Sequence, residues 1–286
     1  NLSEPFDGLF TQGMVCHETY KDPDNNWINP EDIETVNGKK CLKKDNSKII
    51  KVGPSESMSK SKKNTIDPEN IISSYGADSA RLFILSDSPP EKDVQWSEEG
   101  ITSSYKFIQK LWNLNLIFID EIKKNNPKDD DEELTRETNK FLKKITENLE
   151  NFSYNKIIAN LHEIYGLLIK QIKKKYKKAT LIENYEKILI AIMPVIPHFS
   201  SECLSLMGSK RINWPAYDAS MLKEEKINIV VQVNGRKRDV INTKPGLSEE
   251  DLFELINKSE TLNKYLYKQK IKRKIYIKDK LINIII

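Results

Sequence analysis

Apolar positions along the chain change rhythm three times, and each change predicts a different kind of structure. Leu9 to Val15 is a short apolar run, which predicts a buried strand or strand end, with Gly13 marking close backbone approach. Trp27 to Val52 alternates brief strand-like runs with turn residues at Asn37-Gly38 and Asp45-Asn46, a small β-rich insertion. After Asp67 the period lengthens. Ile71, Ile72 and Tyr75 mark a short helix that Gly76 closes, and Asp78 is expected to cap a second one carrying Arg81, Leu82, Phe83 and Leu85, ended by Pro89-Pro90.

From about Ser103 to Met207 the pattern is helical. Phe107, Ile108, Leu111, Leu114 and Phe118 form one stripe, and Phe141, Leu142, Ile145 and Leu149 a second. A third and strongest runs through Ile157, Ile158, Leu161, Ile164, Tyr165, Leu168 and Ile172. The fourth, Tyr185 to Ile192, is broken by Pro194 and Pro197, and a short helix from His198 to Met207 stops at Gly208. Such stripes are the core of an antiparallel helical bundle. The last segment switches to period two. Ile227 to Val233 and Arg236 to Asn242 flank Asn234-Gly235, a strong hairpin signal. Ser248 and Asp251 begin a helix whose Leu252, Leu255 and Ile256 should face inward, and Ile271 to Ile277 and Leu281 to Ile286 complete a small α/β module.

The 286 residues suffice for two or three small domains, and with 31% charged and 38% hydrophobic residues the composition is that of a polar globular protein. No apolar run approaches the ~20 residues of a membrane span. Asn1 begins neither a basic n-region nor an apolar h-region and is not an initiator Met, so the chain reads as a fragment without a signal peptide. Cys16, Cys41 and Cys203 are scattered, which argues against a zinc site or disulfides and fits a reducing compartment. The net charge of +4 is uneven: from Lys223 to Ile286, 15 Lys/Arg against 9 Asp/Glu leave +6. That points to a polyanionic partner for the C-terminal region. The acidic run Asp129 to Glu133 reads as a solvated loop and helix start, not a metal site. The six lysines between Lys170 and Lys178 read as either an RNA-facing helix end or a solvated face.

One loop stands apart. Ser57-Met58-Ser59-Lys60-Ser61-Lys62-Lys63 packs three serines and three lysines together, followed by Asp67-Pro68, a good N-cap and first helical residue. Hydroxyls, backbone N–H groups and ammoniums suit a polyphosphate, although such a loop taken alone is more often merely solvated. Met58-Ser59-Lys60-Ser61 is four-fifths of the Lys-Met-Ser-Lys-Ser signature of class I aminoacyl-tRNA synthetases. Asp67-Pro68, Tyr75-Gly76-Ala77-Asp78, Arg81, Pro89-Pro90 and Trp96-Ser97-Glu98-Glu99-Gly100 resemble the leucyl-tRNA synthetases. So do Leu161-His162-Glu163, Pro194 to Phe199, and Val230-Val231-Gln232-Val233-Asn234-Gly235-Arg236-Lys237-Arg238. The last run separates the leucyl enzymes from their valyl and isoleucyl relatives.

The resemblance implies a multidomain α/β plus all-α chain, a C-terminal portion of about the last third of the enzyme. Residues 1–100 would be the tail of a Rossmann-like catalytic domain with linking helices, 101–222 an anticodon-binding-type bundle, and 223–286 a tRNA-binding α/β domain. It implies ATP and leucine as substrates, Mg²⁺ accompanying the nucleotide, tRNA-Leu as partner, a cytoplasmic location and a monomeric full-length enzyme. Ser57, Met58, Ser59, Lys60 and Ser61 would bind ATP, Lys60 would be catalytic, and Arg236, Lys237 and Arg238 would bind tRNA. His162 and His198, without an evident partner constellation, take structural roles. Two departures stand out: the signature's first lysine is Ser57, and the family's His-x-Gly-His motif, like the leucine pocket and editing domain, does not occur here. The rival readings are a non-catalytic tRNA-binding module and a valyl or isoleucyl relative.

Overall fold

A computed structural model describes residues 5–6, 8–124, 132–172, 174, 176–210, 213–222 and 227–286. Asp129 to Asp131 of the acidic run, Lys173 and Lys175 of the lysine cluster, and Lys223 lie outside the described residues. The chain divides into two compact units, Asn1–Tyr217 and Asp218–Ile286.

The first unit begins with a three-stranded sheet in the order β5-β1-β6. Strand β1, Val15–Lys21, lies in its middle, antiparallel to β5, Lys51–Ser57, and parallel to the two-residue β6, Val94–Gln95. The strand expected from Leu9 therefore starts only at Val15. Upstream of it the backbone is held by other contacts: the Gly13 amide donates to the Pro90 carbonyl at 2.8 Å and the Met14 amide to Asp93 Oδ1 at 2.8 Å. Gly13 does mark a close approach, because a Cβ there would sit 2.1 Å from the Lys92 carbonyl oxygen. The β-rich insertion is a meander of β2 (Ile33–Val36), β3 (Lys39–Leu42) and β4 (Asp45–Ile49). Its first turn puts Asn37 and Gly38 at φ 50° and 78°.

Helices α1 (Pro68–Tyr75) and α2 (Ala77–Ser86) follow the lysine-rich loop. Asp67 caps α1 as expected, accepting from the Glu69 amide, and Gly76 at φ 82° closes it. The bundle comprises α3 (Glu98–Lys123), α4 (Glu133–Glu150), α5 (Tyr154–Gln171), α6 (Lys178–Ile192) and α7 (Pro197–Leu206). The four stripes meet in one core around Phe118, Leu142, Ile145, Leu161 and Leu189, where Phe118 stacks on Tyr185 with centroids 4.3 Å apart. Burying such side chains is worth about 1.5–3 kcal/mol each, which is what holds the helices together.

The second unit is a four-stranded sheet, β8-β7-β10-β9, with two helices against it. Strands β7 (Ile227–Val233) and β8 (Arg236–Thr243) form the hairpin, with Asn234 and Gly235 both at positive φ (49° and 75°), as a two-residue type I′ turn requires. Helix α8 (Glu249–Lys258) is capped by Ser248, which accepts from the Asp251 amide. Leu252 and Ile256 are fully buried, but Leu255, expected to face inward, is 37% exposed: the narrow apolar stripe has room for only two of the three. A helix not anticipated, α9 (Glu260–Leu266), buries Leu262. Strands β9 (Arg273–Ile277) and β10 (Leu281–Ile285) complete the sheet, β10 pairing parallel with β7. Among the described residues no helix is long and apolar enough to cross a membrane.

Candidate functional site

The lysine-rich loop leaves the end of β5 and is pinned from below by Asn64, which is fully buried. Asn64 Oδ1 accepts from the Ser59 amide at 2.8 Å, and its Nδ2 donates to the carbonyls of Glu56 at 3.1 Å and His17 at 3.2 Å. One amide side chain thus ties the loop's two ends to the central strand β1. Lys60 to Lys62 form a single 3₁₀ turn, and Lys63 closes it at φ 52°. Within that frame the side chains diverge. Ser59 and Ser61 hydroxyls lie 2.7 Å apart. Lys62 is ion-paired with Glu56, so the loop is less cationic than its sequence suggests. Ser57 sits opposite Cys16 on β1, its Oγ 4.0 Å from Cys16 Sγ.

Lys60 is exposed and has no ion-pair partner among the described residues. It lines a cleft of about 580 Å³ together with Pro30, Thr65, Ile66, Asp67 and Glu98. Met58 is on the other side of the loop, in an apolar cleft of about 600 Å³ with Phe10, Gly13, Met14, Val94 and Phe152. Beneath the loop, burial pushes the His17 imidazole below its ordinary pKa, and its Nδ1 has no hydrogen-bond partner among the described residues. Among the described residues no three His, Cys, Asp or Glu side chains converge to hold a metal.

Helix α2 connects the loop-bearing elements to the bundle, and here the expectation for Asp78 needs correcting. Asp78 does not cap its own helix, which follows directly on Gly76. It is buried, and its carboxylate reaches the start of α7: Oδ2 accepts from the Phe199 amide at 2.6 Å, and Oδ1 from the His198 amide at 3.3 Å while contacting His198 Nδ1 at 3.0 Å. One turn later Arg81 donates from Nε to the Val195 carbonyl (3.1 Å) and from Nη2 to the Pro194 carbonyl (2.6 Å). A single helix face therefore satisfies donors at the N-terminus of α7 and acceptors in the α6–α7 corner, groups that would otherwise be orphaned. His198 thus has a partner that its sequence neighbourhood does not reveal. His162 stacks on Phe107 at 3.9 Å, and burial, then the Lys110 charge, lowers its pKa.

In the second unit Arg236 and Lys237 are exposed on β8, an edge strand. Arg238 differs: it is half-buried, its guanidinium lies 4.4 Å from the Tyr265 ring centroid, and its Nε is buried without a hydrogen-bond partner among the described residues.

A family model described as tRNA synthetases class I (I, L, M and V) matches residues 47–97, the span of the loop, α1 and α2. Another, described as the anticodon-binding domain of tRNA ligase, matches residues 131–253. The leucine–tRNA ligase of Orientia tsutsugamushi is 39% identical over 297 residues, covering 100% of this chain and 34% of that protein. The leucine–tRNA ligases of Bartonella quintana (35% identical, 34% of that protein) and Zymomonas mobilis (37%, 33% of that protein) also match the whole chain. This chain is a relative of the leucine–tRNA ligases. It spans about a third of the length of the curated relatives it matches. The fold agrees with that of LeuRS from Agrobacterium radiobacter K84, solved as a ternary complex with tRNA and LeuAMS. The TM-score is 0.68 at 22% identity, over 80% of this chain and 31% of that one.

Set against the Lys-Met-Ser-Lys-Ser signature, this sequence has Lys60 at the second lysine and Ser57 at the first. Sequence reasoning did not single out Asn64 or the contacts of Asp78 and Arg81. For Asn64 a signal existed: a polar, uncharged residue closing a lysine run just before a helix cap. For Asp78 and Arg81 there was none, since their partners lie more than a hundred positions away.

Proposed function

We propose that this chain is the C-terminal portion of a leucine–tRNA ligase, which activates leucine with ATP, releases pyrophosphate and transfers the leucyl group to tRNA-Leu. Lys60 carries this reading: an ammonium without an ion-pair partner among the described residues, on a loop fixed at both ends and facing a cleft. Negative charge grows on the α-phosphoryl oxygens and the leaving pyrophosphate during activation, and a cation aimed at them stabilises the transition state more than the ground state. A compact ammonium on a flexible stem suits that task. Ser59, Ser61 and the loop's N–H groups hold the triphosphate, Met58 packs under the loop, and Ser57 borders it. Mg²⁺ would accompany the nucleotide; among the described residues no cluster of His, Cys, Asp or Glu is built to hold it. Residues 1–100 belong to the catalytic domain, 101–222 to the bundle and 223–286 to the tRNA-binding domain. The cytoplasm is the expected location, and one full-length molecule the working form.

The chain alone is expected to be catalytically silent, because it contains no His-x-Gly-His motif to share the nucleotide. The check is leucine-dependent ATP–pyrophosphate exchange with the purified chain, alone and with the N-terminal two-thirds of a leucine–tRNA ligase added. Exchange by the chain alone would overturn the division of the site. Exchange absent even after a stable complex forms would favour the non-catalytic RNA-binding module.

Arg236, Lys237 and Arg238 are proposed as phosphate contacts to tRNA-Leu, Arg238 the least available because it stacks on Tyr265. Replacing Arg236 and Lys237 by Ala should lower tRNA affinity. It should also flatten the dependence of log K on log salt by about 1.4–1.8, from roughly 0.7–0.9 per phosphate contact. Filter binding from low to moderate salt measures this, and an unchanged slope moves the contact elsewhere.

A further inference from the structure

The second unit carries another basic segment, which the hairpin reading did not use. From Thr261 to Lys278 there are seven Lys or Arg and no Asp or Glu, and none of these cations is in an ion pair among the described residues. Inside the segment, the Gln269 amide donates to the Leu266 carbonyl at 3.0 Å and closes a turn with Tyr267 and Lys268 at its corners. Tyr267 has φ −56° and ψ 123°, and Lys268 φ 57°, the backbone of a type II turn. Such a turn fixes the direction of its corner residues. Tyr267 is 66% exposed, the most exposed aromatic of the unit, and the Lys268 ammonium sits 5.3 Å from its ring centroid. Two residues earlier Tyr265 carries the Arg238 guanidinium, so the turn adjoins the hairpin cations.

Cations along β9 would by themselves protect an exposed sheet edge. Edge protection does not call for a large aromatic ring held out in water beside a lysine. A flat ring flanked by unpaired cations is what an unstacked nucleobase with phosphates on either side requires: the ring stacks on the base and the ammoniums meet the phosphates. The geometry points to Tyr267 as a stacking platform for an unpaired base of the bound RNA, with Lys268 and Lys270 on the adjoining phosphates. This site extends the contact proposed for the hairpin and rests on the reading of this unit as tRNA-binding.

The test uses the whole 286-residue chain and a leucine tRNA transcript. Tyr267→Ala should weaken binding about tenfold, within the range for loss of one base–aromatic stack, and leave the salt slope unchanged. Tyr267→Phe should bind within about twofold of the parent, since the ring persists. Lys268→Ala with Lys270→Ala should instead flatten the slope by about 1.4–1.8. All three positions are exposed, so melting curves should coincide with the parent's and exclude misfolding. Parental binding that is unmoved by Tyr267→Ala, or a slope unmoved by the lysine pair, overturns this inference and leaves the hairpin contact standing. A parent chain that binds no tRNA even at low salt removes the reading on which it rests.

Discussion

Replacing Lys60 by Ala in an enzyme completed with the N-terminal part is expected to slow leucyl-adenylate formation about a hundredfold or more. The magnitude follows from losing one preorganised charge at the reacting phosphate, comparable to ~3–4 kcal/mol for an oxyanion-hole donor. ATP affinity should change less, because the ammonium matters most once charge has developed. Restoring the missing signature lysine with Ser57→Lys should change the same rate less than about tenfold, the equivalent of ~1.4 kcal/mol. Ser57 is at the end of β5 opposite Cys16 and does not line the cleft that Lys60 lines. A lysine there would hold the loop from outside, as an exposed ion pair does, worth ~1 kcal/mol or less. Lys62 already does so through Glu56. Pre-steady-state quenching of adenylate formation measures both variants. A mild Lys60→Ala combined with a hundredfold gain from Ser57→Lys would mean that the loop is degenerate and the assignment wrong.

Asp78→Ala is expected to cost the first unit about 3 kcal/mol or more of stability. Each hydrogen bond to a charged acceptor contributes about 1.5–3 kcal/mol, and truncation leaves the His198 and Phe199 amides without their acceptor at the start of α7. Asp78→Asn should be milder, since one amide oxygen can still accept. Denaturant unfolding followed by tryptophan fluorescence reports it, because Trp112 packs edge-on against Phe199 in this corner. A loss below about 1 kcal/mol for Asp78→Ala would show that water satisfies the helix start and that the carboxylate is not the bolt between α2 and the bundle.

The parts of the fold legible in the sequence are those decided within a few residues. The apolar stripes of α3 to α6, the Asp67 cap, the Asn234-Gly235 turn and the Ser248 cap all depend on neighbours three or four positions away. Strand β1 was misplaced because the Leu9 to Val15 run is apolar for a different reason. Phe10, Gly13 and Met14 border the cleft beside Met58, and of the run only Val15 pairs in the ladder, with Val94. Helix α9 escaped notice because only Leu262 is buried along it, too little to set a period. The candidate site was half visible. Residue types named the loop, but the withdrawal of Lys62 into an ion pair depended on Glu56, and which residue anchors the loop depended on Asn64 reaching the carbonyl of His17 across the sheet. From sequence alone Asp78 reads as a local cap, because Asp in that position usually is one.

The strand order of the second unit also bears on how it folds. Hairpin β7–β8 closes through two residues, a microsecond event. The other side of β7 must wait for β10, its parallel neighbour, which arrives only after α8, α9 and β9 have been laid down. Closing a loop of that length costs entropy before the β7–β10 ladder can form, and parallel pairing is slow for this reason. Until β10 arrives, Val231 and Val233 have a partner strand on one side only. Insertion of β10 into the middle of the sheet is therefore the step that converts a hairpin with loose helices into a closed core.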